Sequence, residues 1–84
     1  MQIVSLNDLI IPEDRVRKTF VQSDIDDLAE SIEKFGLFHA PVVQNDGQTL
    51  LVGERRYRAI TDLSNKGKGF KYNDEHIEPG QLPV

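Results

Sequence analysis

At residues 49–59 the chain reads Thr49-Leu50-Leu51-Val52-Gly53-Glu54-Arg55-Arg56-Tyr57-Arg58-Ala59. The aliphatic run before Gly53 has the length and composition of a buried strand, and glycine permits the turn between a strand and a helix. From Glu54 onward, Tyr57, Ile60 and Leu63 recur at helical spacing, with Ala59 near them. The stretch therefore predicts a strand, a tight turn and an amphipathic helix whose apolar side packs against a sheet.

The first turn of this helix has the chemistry of an anion site. The first backbone N–H groups of a helix lack intrahelical partners, and the helix dipole places partial positive charge beside them. The guanidinium groups of Arg55, Arg56 and Arg58 supply forked donors that suit phosphate oxygens, and Gly53 allows close backbone approach. Glu54 is then the candidate catalytic acid that orients a water or a metal ion. The alternative is a solvated basic helix face.

Turn and capping signals predict the elements on the N-terminal side. Asp46-Gly47 lies between apolar runs at 41–44 and 49–52, so these runs should pair as an antiparallel hairpin. Ser23 should cap a helix that Gly36 ends with a left-handed conformation. One face of that helix is apolar and should lie in the core, and its acidic face is assigned to solvation. The apolar face consists of Ile25, Leu28, Ala29, Ile32 and Phe35.

The two ends of the chain carry weaker strand signals. Residues 2–6 alternate polar and apolar side chains, and residues 13–18 form a polar loop after Pro12. Residues 70–72 and 81–84 read as short strands, with the polar stretch 73–76 between them. Together these patterns predict one α/β (α+β) domain, with a small mixed sheet and two main helices.

Composition excludes several classes of function. A chain of 84 residues with net charge −4 forms one small domain and does not coat DNA through a general excess of basic side chains. No cysteine is present, so thiolate catalysis and thiolate metal clusters are excluded. His39 and His76 have no partners at metal-ligand spacing, and we assign no metal ligand. With neither a membrane-spanning run nor a signal peptide, we expect a cytoplasmic protein with no membrane partner.

Gly53-Glu54-Arg55-Arg56-Tyr57-Arg58-Ala59 resembles the Gly-Glu-Arg-Arg-x-Arg-Ala box of the ParB N-terminal domain, a family related in fold to sulfiredoxin. The resemblance covers roughly residues 3 to 63. Further matching segments follow the family's order and approximate spacing: Arg17-Lys18-Thr19-Phe20, Leu28-Ala29-Glu30-Ser31-Ile32, Gly36-Leu37 and Pro41-Val42-Val43.

The resemblance implies that the box binds the phosphates of a nucleoside triphosphate, CTP or ATP, together with magnesium. It also implies that Arg17 forms a second wall of the site. Arg15 and Val16 stand where the family has Gln and Pro, so the base preference stays open. The sulfiredoxin reaction depends on a cysteine and is excluded.

In the resembled family a later motif holds the metal, and further segments bind DNA and form a dimer. Residues 1–84 are thus expected to be a single ParB N-terminal-like domain, either a fragment of a longer chain or a minimal domain with altered function. The function that the sequence supports best is nucleotide binding within a DNA-partitioning or DNA-associated regulatory protein, and a nucleoside triphosphatase activity stays open. The alternatives are a DNA-binding or nuclease-like module of a plasmid or phage type, and a small-molecule kinase of the same fold.

Overall fold

The computed structural model describes residues 2–12 and 21–84. These residues contain two α-helices and six short strands, which confirms the α+β class with two main helices. A 3-10 helix at Leu6–Asp8 follows the first strand, so the predicted strand at 2–6 ends one residue earlier, at Ser5. The elements are β1 (Ile3–Ser5), α1 (Gln22–Phe35), β2 (Val42–Val43), β3 (Leu50–Val52), α2 (Glu54–Asn65), β4 (Phe70–Tyr72), β5 (Glu75–Ile77) and β6 (Gln81–Pro83).

The predicted hairpin is confirmed, since β2 and β3 pair antiparallel. Its turn is held by the Asp46 carboxylate, which accepts hydrogen bonds from the backbone N–H groups of Gln48 at 2.8 Å and Thr49 at 2.9 Å. The bond from the Thr49 hydroxyl, followed by these two backbone bonds, holds the pKa of Asp46 below its ordinary value. Gly47 has a φ of 74°, which a glycine adopts without strain.

The remaining strands form two further antiparallel pairs, β4 with β5 and β1 with β6. Strand β5 lies partly in the polar stretch that was predicted to separate two strands. Asn73 and Asp74 both have positive φ, 50° and 65°, and form the two-residue connection between β4 and β5. Parallel pairing is limited to two isolated bridges, Ile10–Thr49 and Leu37–Tyr72. In the described residues, three short antiparallel pairs and these two bridges therefore take the place of one continuous mixed sheet.

Both ends of α1 differ in detail from the prediction. The N-cap is Val21, which makes no side-chain capping bond, so the assignment of Ser23 was wrong. The Gln22 side chain instead donates to Asp62 of α2 at 3.1 Å, and this contact between the helices favours the earlier start. Gly36 ends α1 with φ 86° and ψ 174°, which is not the left-handed helical conformation. The chain leaves extended because the Leu37 N–H donates to a β4 carbonyl at 2.7 Å.

The core lies between α1, α2 and the strand pairs. Tyr57 is half-buried and packs against it, as its place in the helical pattern predicts. Phe35 was predicted to belong to the apolar face of α1, but it is 70% exposed. It is the last residue of α1 and, at about 100° per residue, lies at the edge of the apolar face. The buried cluster consists of Leu6, Ile25, Ala29, Ile32, Leu37, Ala59, Ile60, Leu63, Phe70, Ile77 and Leu82.

Candidate functional site

The candidate site begins at the turn between β3 and α2. Gly53 has φ 105° and ψ 33°, a left-handed conformation that side chains other than glycine rarely adopt. A Cβ atom on Gly53 would lie 3.0 Å from both Cα and Cβ of Pro41, which is itself buried. This contact fixes where the helix starts relative to the β2–β3 hairpin. The turn therefore needs glycine for its backbone angle and for close packing.

Backbone donors at the start of α2 are left without acceptors by the helix itself. The first helical hydrogen bond runs from the Tyr57 N–H to the Gly53 carbonyl, at 2.9 Å. The N–H groups of Glu54, Arg55 and Arg56 precede that bond and have no hydrogen-bond acceptor among the described residues. Three N–H groups thus point out of the helix end where the dipole is positive.

The three arginines of the box point in different directions around the axis of α2. Arg55 is exposed and Arg56 is half-buried, and neither side chain has an ion pair or hydrogen bond within residues 2–12 and 21–84. At about 100° per residue, Arg56 and Arg58 are separated by about 160° around the helix axis, with Arg55 between them. Arg55 and Arg56 are about 100° apart, and because helical side chains tilt toward the N-terminus, both can reach an anion beyond that end of α2.

Arg58 is held by the acid of the box. Its Nη2 lies 3.3 Å from Oε2 of Glu54, and its Nε lies 3.4 Å from the same oxygen. The Glu54 side chain is only 9% exposed, so its negative charge is compensated next to the helix start by a cation four residues later. This carboxylate would have to share its interaction with Arg58 in order to orient a water or a metal ion.

Arg58 also lines a cleft between the two helices. The cleft has a volume of about 270 Å³, and its lining includes the hydrogen-bonded pair Gln22 and Asp62. No sequence pattern predicts this pair, because the two residues lie 40 positions apart and only the packing of α1 on α2 brings them together. The other lining residues are Ile25, Tyr57 and Thr61.

The remaining predictions concern Arg17, metal binding and membrane association. Arg17, and with it the departure at Arg15 and Val16, lies outside the described residues, so its role stays a prediction. Within residues 2–12 and 21–84, no group of three or more His, Asp or Glu side chains could hold a metal ion. None of the helices in the described part of the chain is both long enough and apolar enough to cross a membrane.

The fold and the box define a class of protein. The sequence matches the family described as ParB N-terminal domain over residues 1–67. The match covers most of the chain and includes the hairpin, the Gly53 turn and all of α2. This chain belongs to the ParB N-terminal domain family.

Two curated relatives show the same affiliation. The chain is 44% identical over 52 residues to a probable chromosome-partitioning protein ParB of Campylobacter jejuni, a match that covers 60% of this chain and 19% of that relative. It is 36% identical over 64 residues to a probable chromosome-partitioning protein ParB of Chlamydia trachomatis, covering 68% of this chain and 23% of that relative. The chain spans about a fifth of the length of these relatives.

Proposed function

We propose that this domain binds the phosphate groups of a nucleoside triphosphate, CTP or ATP, at the N-terminal end of α2. One observation carries the proposal: in the first turn of α2, two arginine side chains and three backbone N–H groups have no partners among the described residues. Unpaired cationic and N–H donors at a positive helix end favour an anion with several oxygens. Membership in the ParB N-terminal domain family supports the same proposal.

The residues of the box take different roles in this proposal. Arg55 and Arg56 bind phosphate oxygens, and Gly53 brings the backbone donors close to them. Arg58, oriented by Glu54, binds on the flank that faces the inter-helix cleft. Arg17 contributes from the segment outside the described residues.

Magnesium would neutralise phosphate charge when a triphosphate is bound. Glu54 is the acid of the box, but its carboxylate is engaged by Arg58 at 3.3 Å. The described residues therefore suit phosphate binding better than metal binding, and we derive no reaction step through the metal. Glu54 remains our candidate for orienting a water, in competition with its ion pair.

At the level of the whole protein, we propose a role in DNA partitioning. The supporting observations are the family membership and the similarity to two probable chromosome-partitioning proteins. DNA contacts and homodimer formation would then involve segments other than residues 1–84, and the protein would act in the cytoplasm. No observation on the described residues favours the nuclease-like or small-molecule kinase alternatives.

Isothermal titration calorimetry tests the proposal. CTP, ATP, GTP and UTP are titrated with and without magnesium, and the matching monophosphates serve as controls for phosphate dependence. We expect at least one triphosphate to bind, and its monophosphate to bind at least about tenfold more weakly, because fewer oxygens meet the arginines. Equal binding of the monophosphate, or no binding of any triphosphate at millimolar concentration, would contradict the proposal.

A further inference from the structure

Two phenylalanines form the most exposed apolar feature of the described residues. Phe35 is 70% exposed and Phe38 is 72% exposed. Both rings line one shallow depression of about 340 Å³ at the C-terminal end of α1. Scattered exposed aliphatic residues are normal, but two neighbouring exposed aromatic rings are typical of an interaction surface.

The backbone between these rings is fixed. Gly36 has a φ of 86°, and a Cβ atom there would lie 2.8 Å from the Lys71 carbonyl oxygen. Leu37 is buried, and its N–H donates to the same carbonyl at 2.7 Å. The two rings are thus presented on either side of an anchored segment, which lowers the entropy cost of binding a partner.

The surface next to the rings is acidic. Helix α1 carries five carboxylates against one ammonium group, that of Lys34. Asp27 and Glu30 line a second depression that is bounded by Phe35, and Glu30 already pairs with Lys34 at 3.2 Å. On the other side, Lys71 and Asp74 line the depression between the rings. Acidic groups exceed basic groups along the whole helix that leads to Phe35.

This charge distribution selects among possible occupants. Exposed aromatic rings also suit nucleic-acid bases or a membrane, but the carboxylates of α1 repel phosphate groups. A partner segment could place an apolar side chain in the depression, against the rings, and pair its flanking lysines or arginines with the carboxylates. The surface therefore fits a cationic, amphipathic protein segment.

We propose that Phe35, Phe38, Asp27 and Glu30, together the aromatic–acidic patch, form a docking site for a cationic amphipathic helix of a partner protein. None of these four residues belongs to the box at residues 53–59, so this docking does not rest on the assignment of the box to phosphate. The rings bind the apolar face of the partner helix, and the carboxylates bind its lysine or arginine side chains and orient it.

A designed peptide provides the probe. It is a labelled helical peptide of leucine and lysine, with the leucines on one face, and its control has the same composition with the leucines spread around the helix. Binding to the 84-residue chain is measured by fluorescence anisotropy. We expect the amphipathic peptide to bind at least about tenfold more tightly than its control, and more weakly as salt is raised.

Matched variants locate the binding. The double variant Phe35→Ser, Phe38→Ser should weaken binding by at least about tenfold, whereas Val52→Ser, at another apolar position that is 56% exposed, should leave it within about twofold. Asp27→Asn with Glu30→Gln provides a second variant that retains both rings and should weaken binding and flatten its salt dependence. Circular dichroism checks that each variant is folded.

Several outcomes would overturn the proposal. These are a dissociation constant weaker than about 1 mM for the amphipathic peptide, equal binding of the control peptide, or unchanged affinity in the phenylalanine variant. A dimer in sedimentation that the phenylalanine variant abolishes would assign the patch to a second copy of this chain. Binding of anionic vesicles or single-stranded DNA that depends on the same rings would assign it to those ligands.

Discussion

Replacing Arg55 and Arg56 together by alanine should remove triphosphate binding and leave the fold intact. Neither side chain has an ion pair or hydrogen bond within the described residues, so unfolding free energy should change by no more than about 0.5 kcal/mol. Each lost bond between a guanidinium and a phosphate costs about 1.5–3 kcal/mol. Two such losses amount to about 3–6 kcal/mol, which raises the dissociation constant roughly 150- to 25,000-fold.

The control has the same change of net charge at another place. Lys66→Ala with Lys71→Ala removes two exposed cations outside the box, and should weaken triphosphate binding by less than about threefold at 0.15 M salt because of screening. Calorimetry measures binding, and urea denaturation measures stability. Unchanged affinity in the arginine variant would refute the assignment of the box to phosphate binding. An equal loss of affinity in both double variants would show that the loss is a non-specific effect of net charge.

Three further predictions concern the turns and the acid of the box. Gly53→Ala should lower the free energy of unfolding by about 1–3 kcal/mol, measured by urea denaturation, because alanine is strained at φ 105° and its Cβ would crowd Pro41. The pKa of Asp46 is lower in the folded state, so its ionised carboxylate stabilises the fold fully above the unfolded pKa. This contribution is lost as the pH falls through the folded pKa. Asp46→Asn should therefore make the free energy of unfolding, measured by urea denaturation, depend less on pH below about pH 4. The chain should release phosphate from a triphosphate more slowly than about 1 per second, and a faster rate that Glu54→Gln abolishes would make Glu54 catalytic.

The elements governed by local chemistry could be predicted from the sequence. Asp46-Gly47 determined the β2–β3 hairpin, because the carboxylate and the glycine act within four residues. Gly53 and the pattern after it located the start of α2 correctly. The positions of Arg55 and Arg56 at an unpaired helix end follow from these two elements alone.

The features that depend on tertiary contacts could not be predicted. Helix α1 begins before Ser23, where Gln22 meets α2, and a capping preference carries no information about that neighbour. Phe35 is 70% exposed although its spacing places it beside the apolar face, because helical periodicity does not encode which residues of that face have a packing partner. Strand β5 has no strand pattern in its polar sequence, and it forms because it pairs with β4. The Glu54–Arg58 ion pair fits an i,i+4 pattern, but its burial depends on the fold.

Backbone amide NMR of the uniformly ¹⁵N-labelled chain tests phosphate binding at α2 most directly. A triphosphate that binds in calorimetry is titrated with and without magnesium, and the amide shifts are followed residue by residue. We predict that the largest shifts fall on the N–H groups of Glu54, Arg55 and Arg56, because these donors face the anion. Saturable shifts confined to other parts of the chain, with these three amides unmoved, would contradict the account.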